Sequence, residues 1–428
     1  MLTTLIAALL LATPIADDDL LPSSFLQNAN PRTAKGGSSS DGGVLGLRSG
    51  PGVLGVDTIK NWSSYFYEQG FDPNGNLQFT WPYTMVGRSP LPDVGSDDGE
   101  GNERTTRIHA PIVPVIVGLR NFDGSPRFVG GHRLISDPTR FVQPVLSSPV
   151  FSNASFDSSE RPTQISDAVH RAQFFHQASD DWHTLLTPDV KTTRTMTLIR
   201  GTYRFALNAD GTCCAFILVD AGTFFGKSFP PTSDLSDNTT VIGQAEFSGD
   251  ITTRDLSTFL FPDTYLFIGS PANCCILGAH TFDIEQGDAS NGFRERRFVL
   301  NYSSWISPGL FGARFQDVTA LSHEVSEIYS DPFGNNLTPW WLSPNGNCQD
   351  NLEDGDVIEG LPNATFPITM NGMTYHPQNE ALLPWFAGQT PSSAIHHAYS
   401  YPDTTVLTAS AVSQQPFCSG PATPAARR

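Results

Sequence analysis

The segment from residue 315 to 331 carries the side chains of this chain whose types and spacing best suit chemistry. It reads Phe-Gln-Asp-Val-Thr-Ala-Leu-Ser-His-Glu-Val-Ser-Glu-Ile-Tyr-Ser-Asp, with Asp317 expected to cap a helix and Pro332 to stop it. Val318, Leu321, Val325 and Ile328 fall within an arc of about 80 degrees on a helical wheel, a stripe that faces a core. His323, Glu324, Glu327 and Asp331 fall on the opposite side. His323 and Glu327 are one turn apart, so a single helix presents both to one metal ion. This follows the logic of H-E-x-x-H, with a carboxylate in place of the second imidazole. Zinc held there lowers the pKa of its water toward about 7, and Glu324 is placed to accept the proton and pass it to a leaving amine. The chemistry so predicted is peptide hydrolysis. The bland alternative is the solvated polar face of an ordinary amphipathic helix.

Further oxygen donors follow in Cys348-Gln-Asp-Asn-Leu-Glu-Asp-Gly-Asp-Val-Ile-Glu, where Asp350, Glu353, Asp354, Asp356 and Glu359 crowd together. Asp356 or Glu353 is expected to supply the third ligand, with Asp331 and His376 as other candidates. The same run also reads as an independent calcium loop lacking EF-hand spacing, or as a solvated acidic turn. One imidazole among carboxylates suits zinc first, and could also hold manganese or calcium.

The elements that must position these groups read as a strand-rich α+β fold. Residues 112–117, Ile-Val-Pro-Val-Ile-Val, predict a buried strand. Residues 163–176 predict a helix with Ile165, Ala168, Val169, Ala172 and Phe175 on its core side, capped by Thr163 or Ser166. Residues 195–207, the turn Asn208-Ala209-Asp210-Gly211 and residues 213–219 predict a hairpin, with further strands at 265–269, 274–279 and 297–302. Hydrophobic residues make up 39% of the chain, enough for a large core, while 37 Gly, 33 Pro and only 16% charged residues predict many loops and few long helices. A formal charge of -18, from 43 acidic and 25 basic side chains, argues against nucleic acid or an anionic membrane as partner. No segment is long and apolar enough to span a bilayer.

At the N-terminus an apolar run closing at small residues near Ala16 predicts a signal peptide over residues 1–16. Residues 17–105 contain two Gly-rich, polar stretches and are expected to form a flexible leader or pro-segment, leaving 106–428 as the folded domain. Asn-X-Ser/Thr acceptors occur at Asn61, Asn153, Asn238, Asn301, Asn336 and Asn363, the pattern of a secreted glycoprotein. The 6 cysteines, Cys213, Cys214, Cys274, Cys275, Cys348 and Cys418, form an even set without C-x-x-C spacing, which predicts disulfides. Adjacent cysteines seldom bond each other, so each doublet is expected to bond outward, with Cys348 paired to Cys418.

The string from Leu321 to Asn336, with Thr338-Pro-Trp, Cys348-Gln-Asp-Asn-Leu-Glu-Asp-Gly-Asp and Met373-Thr-Tyr-His-Pro-Gln, resembles a group of secreted proteins of fungi and soil bacteria that carry His-Glu-x-x-Glu. Thr163-Gln-Ile-Ser-Asp-Ala-Val-His, Trp182-His-Thr-Leu-Leu and Cys274-Cys-Ile-Leu-Gly-Ala-His are similar to other blocks of that group. More distantly, the chain resembles the phosphate-induced, Exordium-like cell-wall proteins of plants. The resemblance covers about residues 106–400 and implies a zincin-like fold, a mixed sheet beside the His-Glu helix, with metal dependence. By analogy with zincins it makes His323 and Glu327 ligands and Glu324 the general base. The expectation is therefore a secreted zinc peptidase acting on extracellular protein or peptide. Its rivals are a non-catalytic extracellular or cell-wall protein with a structural metal or none, and a metal-dependent hydrolase of another amide or ester.

Overall fold

A computed structural model describes residues 19–29, 32–34, 50–67, 80–91, 104–344, 346 and 348–411. The expected signal peptide and Cys418 lie outside the described residues. The elements that build the site are, in chain order, β1 (Asn61–Tyr67), β2 (Thr80–Val86), β3 (Thr105–Arg120), α1 (Ile165–Gln173), β4 (His183–Val190), β5 (Arg194–Ile199), β6 (Tyr203–Leu207), β7 (Cys213–Asp220), α2 (Val241–Phe247), β8 (Leu256–Pro262), β9 (Thr264–Phe267), β10 (Cys274–Glu285), β11 (Arg296–Trp305) and α3 (Thr319–Ser330).

One large mixed sheet runs in the order β5-β3-β8-β11-β10-β9-β7-β6. β3 pairs in parallel with β4 along its first half and with β5 along its second. β8 lies parallel to β11, which pairs antiparallel with β10. The fold is thus mixed α+β and strand-rich. Alternation along each strand divides the apolar side chains between two cores. Phe259, Phe261, Leu300 and Tyr302 face a layer that includes α2, whereas Leu260 and Val299 face the other side and meet Val318, Leu321, Val325 and Ile328 of α3.

The expected strands are present, and Tyr203–Leu207 with Cys213–Asp220 forms the expected hairpin, while β5 departs from it to pair with β3. The 163–176 helix is α1, shorter at both ends. Ile165, Ala168, Val169 and Ala172 are buried as expected, but Phe175 is exposed, because the helix has ended before it. Neither Thr163 nor Ser166 caps it: the N-cap is Gln164, and the Thr163 hydroxyl donates to Asp167 Oδ2 at 2.7 Å.

Several expectations are corrected. The described parts of the 17–105 leader belong to the fold: β1 and β2 form a hairpin with Trp62, Met85 and Val86 buried, and buried Asp19 accepts from Arg127 at 2.9 Å and Arg200 at 2.8 Å. Low apolar content between these segments hid the strands within them. The cysteine doublets bond internally, Cys213 to Cys214 and Cys274 to Cys275, not outward. Cys348 is also disulfide-bonded. Of the acceptor asparagines, Asn153, Asn238 and Asn363 are exposed. Asn301 and Asn336 are buried and hydrogen-bonded, Asn301 to Thr258 Oγ1 at 3.1 Å and Asn336 to the Thr84 and Ser330 carbonyls, so neither can carry a glycan in the folded protein. Asn61 is half-buried and donates to the Ile59 carbonyl.

Candidate metal centre

α3 begins at Thr319 and is preceded by Val318, not capped by Asp317. Asp317 instead accepts the backbone N–H groups of Val318 and His376 and sits 2.7 Å from His376 Nδ1. All twelve residues of α3 are buried, so the polar side is not a solvated face. It is covered by β10 and by the acidic segment from Glu353 to Asp356. The apolar stripe and the polar stripe therefore both face protein, and the polar stripe needs internal partners.

Those partners converge on Glu327. Its Oε1 lies 3.0 Å from His323 Nε2, the expected pair one helical turn apart. Asp356 Oδ1 lies 3.8 Å from the same His323 nitrogen, and the Asp356 N–H donates to Glu327 Oε1 at 3.2 Å. His323, Glu327 and Asp356 each bring a donor atom within 4.8 Å of the others. The expected ligand set is thus brought together. Gly355 allows this closure, since a Cβ there would run into the His323 ring.

Sequence reasoning missed the group on the other side of Glu327. His280, on β10, sits with Nδ1 at 3.2 Å from Glu327 Oε2 and 3.4 Å from Glu324 Oε2, and with Nε2 at 3.6 Å from Glu353 Oε2. Gly278 precedes it by two residues and so shares its face of the strand; a Cβ at Gly278 would collide with the Glu324 carboxylate. The signal was the Gly-x-His ending of an apolar strand run, a lone histidine that looks like packing. Glu380 and Asp354, also buried, complete the surroundings. The remaining candidates lie elsewhere. Asp331 ends α3 and accepts the N–H groups of Asn335 and Asn336, while His376 faces Asp317, outside the cluster.

Burial and charge set the titration of this interior. Burial pushes Glu324 up to about 7, with His280 and His323 pulling the other way. Burial also raises Asp354 to about 7 and holds Glu353 and Glu380 well above the ordinary carboxylate range. For Glu327 burial is outweighed by His323 and His280, which hold it well below that range. Burial likewise opposes charge on both imidazoles, but the acids around them win and hold each well above its usual 6.5.

The donor set fits a divalent cation. Both ring nitrogens of His280, both oxygens of Glu324 and of Glu380, and Glu353 Oε2 make no hydrogen bond despite full burial. Orphaned buried polar atoms cost about 1–3 kcal/mol each unless something compensates them. Donors on one metal with bonds near 2.1 Å stand roughly 3.0–3.4 Å apart, close to the separations of Glu327 from its two histidines. A separate group of oxygen donors, Glu246, Asp283 and Glu285, lies at the far end of β10 and on α2.

No family model, curated protein or solved structure matches the chain.

Proposed function

We propose that the protein is a secreted metal-dependent hydrolase, a zinc peptidase of zincin-like fold acting on extracellular protein or peptide. The observation that carries this reading is the convergence of His323, Glu327 and Asp356 beside Glu324, a carboxyl group pushed to about 7. A helix bearing these groups against a mixed sheet is the arrangement a zincin-like fold requires. Exposed acceptors at Asn153, Asn238 and Asn363 and two described disulfides suit an oxidising, extracellular setting.

His323 Nε2, Glu327 and Asp356 would hold the cation. A zinc ion there supplies Lewis acidity, lowering the pKa of water and polarising a carbonyl. Glu324, beside that donor set, would supply the proton traffic, accepting a proton from water and returning it to a leaving amine. Gly278 leaves the strand clear for that carboxylate, and the Asp356 N–H holds Glu327 in place.

A second reading is favoured by one observation, the near-complete burial of the donors: His280, His323 and Glu324 are 0% exposed and Asp356 6%. Closed sites are typical of structural metals, whereas catalytic ones keep a position open. Casein and peptide hydrolysis by the purified chain and by Glu324→Gln separates the two. The hydrolase reading expects a fall of about 100- to 10,000-fold in kcat with metal content unchanged. Bound metal without any hydrolysis by the unaltered chain would leave the structural reading.

A further inference from the structure

Glu327 stands between two imidazoles on two different elements. Its Oε1 faces His323 Nε2 on its own helix at 3.0 Å, and its Oε2 faces His280 Nδ1 on β10 at 3.2 Å. Each imidazole has a further acid from the same downstream segment: Asp356 faces the same nitrogen of His323 as Glu327 does, and Glu353 lies 3.6 Å from the other nitrogen of His280. The result is two three-residue donor groups, His323-Glu327-Asp356 and His280-Glu327-Glu353, that share only Glu327.

We infer that His280, Glu327 and Glu353 form a second cation position, so that Glu327 bridges two divalent transition-metal ions. This rests on the metal-binding part of the reading above and goes beyond it in number and in ligands. Imidazole with carboxylates selects ions of the zinc and manganese class rather than calcium, which takes oxygen donors alone. Glu324, Glu327, Glu353, Asp354, Asp356 and Glu380 are all buried around the two histidines, so oxygen donors stand on both sides of Glu327. The two oxygens of one carboxylate, directed at different nitrogens, are what a bridge between neighbouring ions requires. Such paired ions stabilise the attacking and the leaving oxygen of a displacement together.

The test uses the full chain, stripped with a chelator and reloaded with Mn2+, read by metal analysis and electron paramagnetic resonance. The inference expects two ions per chain and an exchange-coupled signal. His280→Gln and Glu353→Gln should each reduce this to one ion per chain with the spectrum of an isolated ion, leaving the His323 position filled. Circular dichroism checks that each variant folds; if one does not, the other and the coupling in the unaltered chain decide. One ion per chain in the unaltered protein would overturn the second position while the hydrolase reading stands, whereas no ion at all would remove both. Two uncoupled ions would also overturn the Glu327 bridge and direct attention to Glu246, Asp283 and Glu285.

Discussion

His170 shows how a single side chain behind the centre ties stability to pH. It lies on α1 with its ring parallel to Trp182 at 6.5 Å and edge-on to Tyr329 of α3 at 5.1 Å, and neither ring nitrogen makes a hydrogen bond. Burial pushes its pKa from 6.5 down to about 3. With the folded pKa below the unfolded one, the unfolded chain binds the extra proton between those values. The contribution is therefore present above about pH 6.5 and is lost as the pH falls toward 3. His170→Phe removes the titrating group while keeping an aromatic ring. Denaturant unfolding of both chains across that range should show the unaltered protein losing on the order of a few kcal/mol relative to the variant as acid is added. Parallel profiles would show that His170 carries no such linkage. At this scale the sequence displayed residue types without their burial: Asn301 and Asn336 carry the same acceptor pattern as exposed Asn153, and nothing local distinguishes them.

The meeting of α3 with β10 makes the centre, and the closeness of that meeting depends on Gly278. Adding a methyl group there drives Cβ into Glu324, whereas the same change at Gly118 of β3 finds its nearest neighbours 4.0 Å away. Gly278→Ala should therefore destabilise by about 1–3 kcal/mol and weaken metal binding, with Gly118→Ala costing much less. Urea denaturation and metal titration of the two variants measure this, and equal small effects would mean the strand and helix are not in tight apposition. The apolar stripe of α3 was legible because 3.6-residue periodicity reports the face turned to the core. What covers its other face was legible only in part: Glu353 and Asp356 stand in the acidic run just downstream, whereas His280 arrives from a strand well upstream in the chain. Local periodicity marks a polar stripe alike whether water or a metal satisfies it. The doublets Cys213–Cys214 and Cys274–Cys275 were misread for a related reason: a general rule about adjacent cysteines says nothing of the particular backbone, here the first two residues of β7 and of β10, that accepts the pair.

Across the whole molecule, the chain places acids and histidines inside a strand-rich fold that no helix among its described residues would anchor in a membrane. The broad class, α+β with many strands, was readable from composition and alternation; the inclusion of β1 and β2 was not, since their neighbours in sequence are polar and Gly-rich. In the function proposed here, a bound cation holds the interior acids around His323 and Glu327 together. Anomalous diffraction from crystals of the zinc-loaded full chain tests this most directly. Cation binding there gives a strong anomalous peak bounded by His323 Nε2, Glu327 and Asp356. A map without a peak there, with His323 and Glu327 paired only to each other, would contradict it.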